Sequence, residues 1–434
     1  MKPTKIRAAA LVLAASTPAA AAIHQVPSGL ATLTEAIAAA SPGDSIVVAA
    51  GTYSPSANGE TFPLLVATDA LTILGAGMGL SVLDADGASR GLLWDAASGG
   101  RVSGFTIRGG VADFGGGMRI QNGDPEIDHN LFTENSASLR GSGIHVMKPA
   151  LPVSSPWIHH NVVWENFDTN PTDADDPHGV VISGQVQGVF EHNLVGRTDG
   201  NGLLVGGVAS PSVRHNILFE NGLPGPEPRG RGICWIGGAP ALIFHNLFHA
   251  NVVAALLWSS SGGDFSGEEA NDVSPSDAVY GNLDGDPLFV DVDAGDFHLE
   301  AGSPAIDAGD PSLPLDPDGT IADLGPFFFE QSGVGVPGTG GAGTLAGLAS
   351  APNPFRATTT VRFDLAREAR VTVEIVDVAG RLVRRWADAS FGAGRRTVSW
   401  DGRDEDGRAV ASGVYLIMVR AGDEAWSAPV VRLR

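Results

Sequence analysis

The sequence predicts an all-β protein in which a solenoid of short stacked strands precedes a smaller β-sandwich. The first observation is a phrase containing His-Asn that recurs five times, with steps of 31, 32, 23 and 30 residues between its asparagines. Repeats of this length are typical of solenoids, in which each repeat is one turn of structure. The second observation is composition, because 58 Gly, 28 Pro and only 18% charged residues favour tight turns over helices. The repeated asparagines are Asn130, Asn161, Asn193, Asn216 and Asn246.

The first 22 residues have the pattern of a secretory signal peptide. Lys2, Lys5 and Arg7 form a basic start, residues 8–15 form an apolar core, and residues 20–22 are small side chains suited to cleavage. The alternative is an ordinary short helix. No later stretch is long and apolar enough to span a bilayer. We therefore expect a secreted protein, extracellular or on the outer cell surface, without a membrane-spanning segment.

Each repeat is predicted to contain three short strands separated by bends. The first strand recurs as Gly-apolar-x-apolar, and the alternation turns one column of apolar side chains inward. Three strands with bends, repeated and stacked, predict a three-sided parallel β-helix over residues 23–330. The inward column comprises Met118, Ile144, Val180, Leu203 and Ile233.

The repeated asparagines are predicted to lie at the bend between the second and third strands. That bend needs a residue with positive φ, which Asn tolerates better than most residues. Inward amides stacked about 4.8 Å apart can hydrogen-bond along the column as a ladder. A second ladder is expected five residues later, with Thr198 interrupting it once, at Asn135, Asn166, Asn221 and Asn251.

The histidine before each repeated asparagine allows two interpretations. A stacked imidazole stripe is able to bind Zn²⁺ or Cu²⁺. Alternatively, each His is an outward polar residue opposite an inward Asn, partly stacked on its neighbours. The single Cys234 excludes an intramolecular disulfide and is expected to be a small buried residue.

At this point the sequence resembles the secreted right-handed parallel β-helix proteins of the pectin-lyase-like group. Residues 33–40, 42–48 and 51–53 look like that group's N-terminal cap, whose short helix covers the first coil. Residues 286–291 and 303–309 look like the closing segment of many surface-anchored members. The resemblance covers roughly residues 24–330 and implies a right-handed β-helix with a polysaccharide groove along the first strands.

The tail changes character after a Gly-rich linker at residues 331–350. Residues 351–434 contain alternating strands at a spacing typical of a sandwich. Their motifs resemble the small C-terminal Ig-like domain of the flagellar hook-capping kind, a pattern that also serves as a sorting domain in type IX secretion. The resemblance implies export and sorting machinery as a partner, with attachment to or release from the cell surface, rather than catalysis.

Charge is unevenly distributed along the chain. The net charge is −22, and residues 351–434 hold 14 Arg against 11 acidic residues, which leaves −25 for the first 350 residues. Such an acidic body repels nucleic acid and anionic lipid. It attracts divalent cations or simply keeps a secreted protein soluble.

Outward first-strand residues and one long loop supply the candidate catalytic residues. The roles would be carboxylates for Ca²⁺, a cationic residue that abstracts a proton next to a uronate, and a second cation that stabilises the enolate. The alternative is a solvated loop beside ordinary surface residues. The candidates are Arg119, His145, Lys148, Asp175, Asp176 and His178.

A Ca²⁺ site is predicted in an acidic loop near the end of the β-helix. Asp316, Asp318 and Asp323 have oxygen ligands at suitable spacing. Turn chemistry alone also explains Asp and Gly there. No other cofactor is expected.

Two functions follow from these observations. The first is non-catalytic binding of a polysaccharide or cell-surface glycan along the long face of the solenoid. The second is a polysaccharide lyase or glycoside hydrolase that acts on an acidic polysaccharide along the first-strand face. An enzyme needs convergent ionisable groups in one groove, whereas a binding protein needs aromatic and polar patches. The fold alone does not distinguish them.

Overall fold

Three long sheets of parallel strands run side by side and form a three-sided β-helix, which is followed by a small Ig-like sandwich. The predicted fold class is confirmed. The computed structural model describes residues 21–96, 98–169, 178–222, 230–237, 242–258, 263–273, 278–331, 345–351, 355, 358–365, 367–377, 381–392, 394–410, 413–421 and 424–432. The predicted signal peptide, apart from its last two residues, and most of the predicted linker lie outside the described residues.

Each coil contributes one strand to each sheet, and we number the sheets by the order of strands within a coil. The first sheet comprises Leu64–Val66, Leu92–Trp94, Met118–Ile120, Ile144–Lys148, His178–Gly184, Asn201–Gly207, Arg231–Gly237, Ala254–Trp258 and the antiparallel Gly263–Phe265. The second sheet comprises Ile23–Val26, Ser45–Val48, Thr72–Leu74, Arg101–Ser103, Glu126–Asp128, Trp157–His159, Val189–Glu191, Ser212–Arg214, Leu242–Phe244 and Val279–Tyr280.

The third sheet and a short fourth sheet complete the coils. The third comprises Gly51–Tyr53, Ser81–Asp84, Thr106–Arg108, Leu131–Thr133, Val162–Trp164, Leu194–Gly196, Ile217–Phe219, Leu247–His249 and Leu283–Asp284. The fourth comprises Val111–Phe114, Ser136–Arg140 and Phe167–Asp168, which precede three consecutive strands of the first sheet.

The interior of the β-helix is filled by every second side chain of each strand. The predicted inward column is buried, and its members are paired in register from coil to coil, as in Met118 with Ile144 and Ile144 with Val180. Glycine precedes Met118 and Leu203 because the second asparagine column lies against these positions. A Cβ at Gly117 would lie 2.9 Å from Asn135 Nδ2, and a Cβ at Gly202 would lie 2.9 Å from Asn221 Nδ2.

The predicted ladder of amides forms inside the bend. Asn161 Oδ1 accepts hydrogen bonds of 3.1 Å from both the backbone nitrogen and Nδ2 of Asn130, and the same pair of bonds repeats at each rung. All five asparagines are fully buried, and Asn282 adds a sixth rung that the sequence did not suggest. The ladder therefore ties six coils together.

The bend itself differs from the prediction in one respect. The left-handed residue is the histidine before each asparagine, with φ between 49° and 55° at His129, His160, His192, His215 and His245. Asn130 instead donates from Nδ2 to the carbonyl of Asp128, two residues earlier. The inward amide thus bridges the bend, while the outward residue takes the strained dihedral.

Both ends of the first ladder are satisfied. Asn130 Oδ1 accepts from the backbone nitrogen of Phe105 at 3.1 Å. At the other end, Asn271 Oδ1 accepts from the backbone nitrogen and Nδ2 of Asn282. Asn271 lies on helix Gly267–Val273, which therefore closes the amide column.

A short helix covers the first coil, as predicted. It spans Leu33–Ala39 with a capping box formed by Thr32 and Glu35, and its buried face contacts the first strands of the first and second sheets. The buried Glu60 carboxylate accepts from the backbone nitrogens of Leu33 and Thr34, where helix amides lack partners. A second short helix, Pro55–Asn58, follows the first strand of the third sheet.

The closing segment, residues 286–331, packs on the outer face of the third sheet. Its hairpin of Phe289–Asp291 and Asp296–Leu299 places Phe297 against Trp164, with ring centroids 4.7 Å apart. Buried side chains of Leu299, Ala305 and Leu324 join the same cluster. The third sheet is thus covered by chain that follows it in sequence.

The C-terminal sandwich has its own hydrophobic core around Phe363, Ile375 and Trp400. Its strands are antiparallel and form two sheets. One sheet contains Leu345–Ala351, Thr359–Leu365 and Gly394–Trp400, and the other contains Leu382–Phe391, Ala369–Asp377, Gly413–Ala421 and Glu424–Arg432. No described helix is long and apolar enough to cross a membrane.

Candidate functional site

Two of the predicted catalytic residues are neighbours on the outer face of the first sheet. Arg119 pairs in register with His145. The imidazole of His145 stacks on Phe114 with ring centroids 5.3 Å apart, and the Arg119 guanidinium lies over the same ring. His145 is only 3% exposed. Burial, followed by the charges of Arg119, Arg140 and Arg90, lowers its pKa to about 3, so it is neutral at pH 7.

The other described candidates lie apart from this pair. Lys148 is three residues beyond His145 on the same strand, about 10 Å along it, and its Nζ donates to Asn122 Oδ1. His178 aligns with Ser142, three residues before His145, and contacts Asn201 at 3.2 Å. Asp175 and Asp176 lie outside the described residues. The structure thus brings Arg119 and His145 together but places Lys148 and His178 on opposite sides of them.

The rest of the outward first-strand column is apolar and covered. Val181, Leu204 and Cys234 are buried and pack together, with Leu257 partly buried beside them. Trp164 and Trp235 are buried as well. These three outward positions therefore add no charged group to the face that carries Arg119 and His145.

The predicted Ca²⁺ candidates stabilise turns in the closing segment. Asp323 accepts backbone hydrogen bonds from Asp307 and Phe329, and its own nitrogen donates to Asp316 Oδ2 at 2.8 Å. Asp318 accepts from the backbone of Thr320 and Gln331.

The electrostatics of this turn are unusual because several carboxyls are close together. Burial, with the charges of Asp323, Asp318 and Asp307, raises the pKa of Asp316 to about 7. The pKa of Asp323 is also raised by burial and by its acidic neighbours. Each carboxyl already has backbone donors, so the hydrogen bonds give these residues a turn-forming role.

The outer face of the second sheet carries a more organised set of polar and aromatic side chains. Among the described residues, the trio that brings three acidic or histidine ligand atoms within 4.8 Å of one another is Glu126, Asp128 and His159. Asp128 and His159 are register partners on consecutive coils, and Glu126 is two residues before Asp128 on the same face. These residue types are able to ligate a divalent metal.

Asp128 is the most firmly held carboxylate of this face. Arg101 Nε and Nη2 donate to its two oxygens at 2.6 Å each, and Ser103 and His129 contact Oδ2 as well. Burial acts to raise its pKa, but the bonds to Arg101 and His129 more than offset burial and leave the pKa well below its usual range. Asp128 is therefore ionised across the physiological pH range.

Trp157 is an exposed aromatic residue of the same face. Its ring lies on that of His159, with centroids 4.0 Å apart, and its Nε1 donates to Glu191 Oε1 at 2.6 Å. It is nevertheless 44% exposed. A ring held on one side and at its nitrogen presents its other side to solvent in a fixed orientation.

The face continues along the coil axis beyond Trp157. Glu191 Oε2 accepts from Arg214 Nε at 2.6 Å, and Arg214 lies over the ring of Phe244. Phe244 stacks on the exposed Tyr280 with centroids 4.8 Å apart. Charged pairs and aromatic rings thus alternate over successive coils.

The histidines of the bend border this face. His129, His160 and His192 stack with centroid separations of 5.2 and 4.8 Å, which agrees with the interpretation as outward, partly stacked residues. Further along, His215 Nε2 accepts from the backbone nitrogen of Asp310, so the closing segment covers that end. The exposed part of the border is therefore at His129.

Sequence reasoning missed this face because it concentrated on the outward first-strand positions. The outward positions of the second strands lie two and four residues before each repeated asparagine. These positions hold Glu126 and Asp128, Trp157 and His159, Val189 and Glu191, Ser212 and Arg214, and Leu242 and Phe244. Carboxylates therefore lie beside histidines on this face, as Asp128 does beside His129 and Glu126 beside His159.

Comparisons with known proteins match two parts of the chain. Residues 23–222 match a family described as a protein of unknown function (DUF1565), and residues 353–424 match the FlgD Ig-like domain. The basal-body rod modification proteins FlgD of Salmonella typhimurium strain LT2 and of Salmonella typhi are each 37% identical over 92 residues, which is 21% of this chain. The chain spans 38% of the length of these curated relatives.

Solved structures are similar to the same two parts. Pectate lyase Pel9A has a TM-score of 0.47 and 17% identity, covering 71% of this chain and 96% of its own. PorZ, a surface component of the type-IX secretion system of Porphyromonas gingivalis, has a TM-score of 0.16 and 27% identity. That match covers 20% of this chain and 12% of PorZ.

Proposed function

We propose that this chain is an exported protein whose β-helix binds a neutral polysaccharide or cell-surface glycan along the outer face of the second sheet, without cleaving it. The observation that carries the proposal is Trp157, an exposed ring that is held in place by His159 and Glu191. An aromatic face fixed before binding loses little side-chain entropy when an apolar sugar face stacks on it.

The polar groups around Trp157 suit sugar hydroxyls. Glu126 and Arg101 are each about one-third exposed, and together they offer an acceptor and a donor beside the ring. A hydroxyl both donates and accepts a hydrogen bond, so a carboxylate–guanidinium pair matches it. The acidic body of the chain disfavours a polyanionic glycan over a neutral one.

Binding without cleavage is supported by the surroundings of the ionisable groups. His145 is buried under Phe114, which keeps its imidazole from a polymeric substrate. On the second sheet, Asp128 is engaged by Arg101, and Glu191 is engaged by Arg214 and Trp157. A general acid or base must reach the proton that it transfers.

Export and surface attachment form the second part of the proposal. The basic and apolar residues at the start of the chain support export. The match of residues 353–424 to the FlgD Ig-like domain supports a role for the C-terminal sandwich in protein–protein docking, and type IX sorting is the form we propose. Ca²⁺ has no required part in either function.

Glycan binding is tested with the mature chain and a panel of neutral and uronate polysaccharides in affinity gel electrophoresis. We expect retardation by a neutral polysaccharide and at least about a tenfold weaker affinity for Trp157→Ala. An aromatic side chain that a ligand covers on binding commonly supplies that much binding free energy. Trp157→Phe should retain part of the affinity. Phe328→Ala, at an exposed ring in the closing segment, is the matched control and should bind as the wild type does.

The same panel distinguishes the enzyme alternative. Unsaturated product absorbance or new reducing ends, with or without Ca²⁺, would reject binding without cleavage. Equal retardation of the wild type and Trp157→Ala would place the glycan site elsewhere and overturn the proposed face.

Export is tested by expressing the full chain in a bacterial host and measuring the mass of the recovered protein. We expect the exported protein to lack residues 1–22. Leu13→Arg, which interrupts the apolar core of the leader, should leave the protein inside the cell. Deleting residues 351–434 should change the surface-attached fraction without blocking passage across the inner membrane.

A further inference from the structure

We infer that Glu126, Asp128 and His159 form a binding site for a divalent transition-metal ion of the zinc class. This inference does not rest on the glycan-binding proposal. It rests on the arrangement of three ligand atoms and, independently, on a buried imidazole nitrogen that has no hydrogen-bond partner.

The unpartnered atom is His159 Nε2. His159 is 6% exposed, and its Nδ1 lies 2.9 Å from His160 Nδ1, which engages that side of the ring. Nε2 is buried without a hydrogen bond and lies 3.4 Å from Glu126 Oε1. A buried nitrogen of this kind costs free energy unless something binds it. Metal-bound histidines typically have such an arrangement, with one nitrogen on the metal and the other on a neighbouring group.

The spacing suits a small ion between the two side chains. Nitrogen and oxygen ligands lie about 2.0–2.2 Å from Zn²⁺, so two of them around a tetrahedral ion stand about 3.4 Å apart. Glu126 Oε1 and His159 Nε2 have that separation, and an Asp128 oxygen lies within 4.8 Å of both. Water would complete the coordination.

The donor set selects the class of ion. One imidazole and two carboxylates suit Zn²⁺, Co²⁺ or Ni²⁺, whereas Ca²⁺ prefers a larger shell made only of oxygen ligands. The site is also distinct from the acidic turn around Asp316. The ligands lie on paired strands of the second sheet, so their backbone positions are fixed by the coil.

Arg101 limits the strength of the site without closing it. Its guanidinium holds both oxygens of Asp128, and its side chain is 38% exposed. A carboxylate has about four lone-pair sites, and the bonds to Arg101, Ser103 and His129 use all four. A metal therefore binds Asp128 by displacing the longest of these contacts, the Ser103 hydroxyl at 2.9 Å. Arg101 also balances one of the two negative charges of Glu126 and Asp128. Less uncompensated negative charge therefore remains in the folded protein when no ion is bound.

The test measures Zn²⁺ binding to the full mature chain, without an added histidine tag, by isothermal titration and by the visible spectrum of Co²⁺. We expect one ion per chain and Co²⁺ absorption typical of low coordination number. His159→Gln and Glu126→Gln should each weaken binding at least about tenfold, since even loss of a group that only supports a ligand costs about 10–100-fold. Glu126 is partly exposed, so its variant should fold even if His159→Gln does not.

The matched control is His298→Gln, which removes an exposed histidine that contacts Asp296 at 2.7 Å. This variant should bind Zn²⁺ as the wild type does. Absence of Zn²⁺ binding, unchanged binding in Glu126→Gln, or a preference for Ca²⁺ over Zn²⁺ would overturn the inference. A glycan result of either kind leaves this outcome unaffected, because the metal is measured alone.

Discussion

At the residue scale, the two residues of each His-Asn pair have different structural roles at the bend. The asparagine lies inward and joins neighbouring coils through its amide, while the histidine takes positive φ and turns its ring outward. Asparagine would tolerate that dihedral better than histidine does. The inward position, however, needs a side chain that donates and accepts at once, which histidine cannot match in the same geometry.

The histidine column makes stability depend on pH. Burial, followed by the charges of neighbouring histidines, lowers the pKa of His160 to about 3, and burial, followed by Arg214 and His245, lowers that of His215 to about 4. An unfolded histidine has a pKa of about 6.5. Below pH 6.5 the unfolded chain therefore binds protons that the folded chain does not, so stability present above pH 6.5 is lost as pH falls toward 4.

We expect His160→Asn to weaken this pH dependence. Asn accepts positive φ and does not titrate, so the variant should lose up to about 1.4 kcal/mol per pH unit of the wild-type slope between pH 6 and 4. Urea unfolding followed at several pH values, with chelator present, measures the slope. His298→Asn, at an exposed histidine, is the control. A slope equal to that of the wild type in His160→Asn would contradict the assigned cause.

At the element scale, the two asparagine columns act as continuous ladders with different completeness. The first runs unbroken over six rungs and ends on Asn271. The second is interrupted at Thr198, whose hydroxyl reaches Asn221 Oδ1 at 3.0 Å. Asn166 donates to the carbonyls of Phe132 and Trp164, and no hydrogen bond between described atoms joins its amide to Thr198. The second ladder is therefore two shorter ladders.

Opposite substitutions in the two ladders should have opposite effects. Asn193→Ala removes a fully buried rung and is expected to lower the free energy of unfolding by about 1–3 kcal/mol, because adjacent amides lose partners. Thr198→Asn should raise it by about 0.5–1.5 kcal/mol by joining the two halves of the second ladder. Denaturant unfolding of both variants measures these changes.

The local space supports the second substitution. Thr198 lies against Gly179, and the complete rungs Asn135 and Asn221 likewise lie against the glycines at positions 117 and 202. Destabilisation by Thr198→Asn, in a variant whose circular dichroism is unchanged, would show that this rung differs from its neighbours in shape rather than in hydrogen bonding.

At the scale of the whole molecule, stability comes from separate cores. One core fills the β-helix, a second lies between the third sheet and the closing segment, and a third fills the C-terminal sandwich. Phe297 joins the closing segment to Trp164 on the third sheet. The closing segment thus contributes to the stability of the β-helix, although it lies outside the coils.

Phe297→Ala should therefore destabilise the β-helix selectively. Loss of a buried Phe typically costs about 3–5 kcal/mol, because it removes apolar contact and leaves a cavity. We expect the thermal transition of the β-helix to fall while that of the C-terminal sandwich stays unchanged, as measured by calorimetry. Phe328→Ala, at an exposed ring of the same segment, should change stability by less than about 0.5 kcal/mol. Equal shifts of both transitions would contradict separate cores.

The candidate site was less predictable than the fold for a physical reason. Inward residues follow from the two-residue period of a strand, as at Ile144 and Val180. Whether an outward residue meets solvent depends on what else packs there. His145, Val181 and Leu204 are outward by period yet buried, whereas Trp157 is outward and exposed.

The sequence by itself determined the stacked coils, the inward apolar columns, the asparagine ladders and the Ig-like character of the tail. Each of these features follows from a local pattern of residues, and such patterns can be recognised in the sequence. The tertiary structure alone decided that the closing segment covers the third sheet and that Glu126, Asp128 and His159 meet across two coils. The loops between successive coils differ in length, so the sequence spacing does not show which residues become neighbours. The register of the paired strands decides that Asp128 lies beside His159.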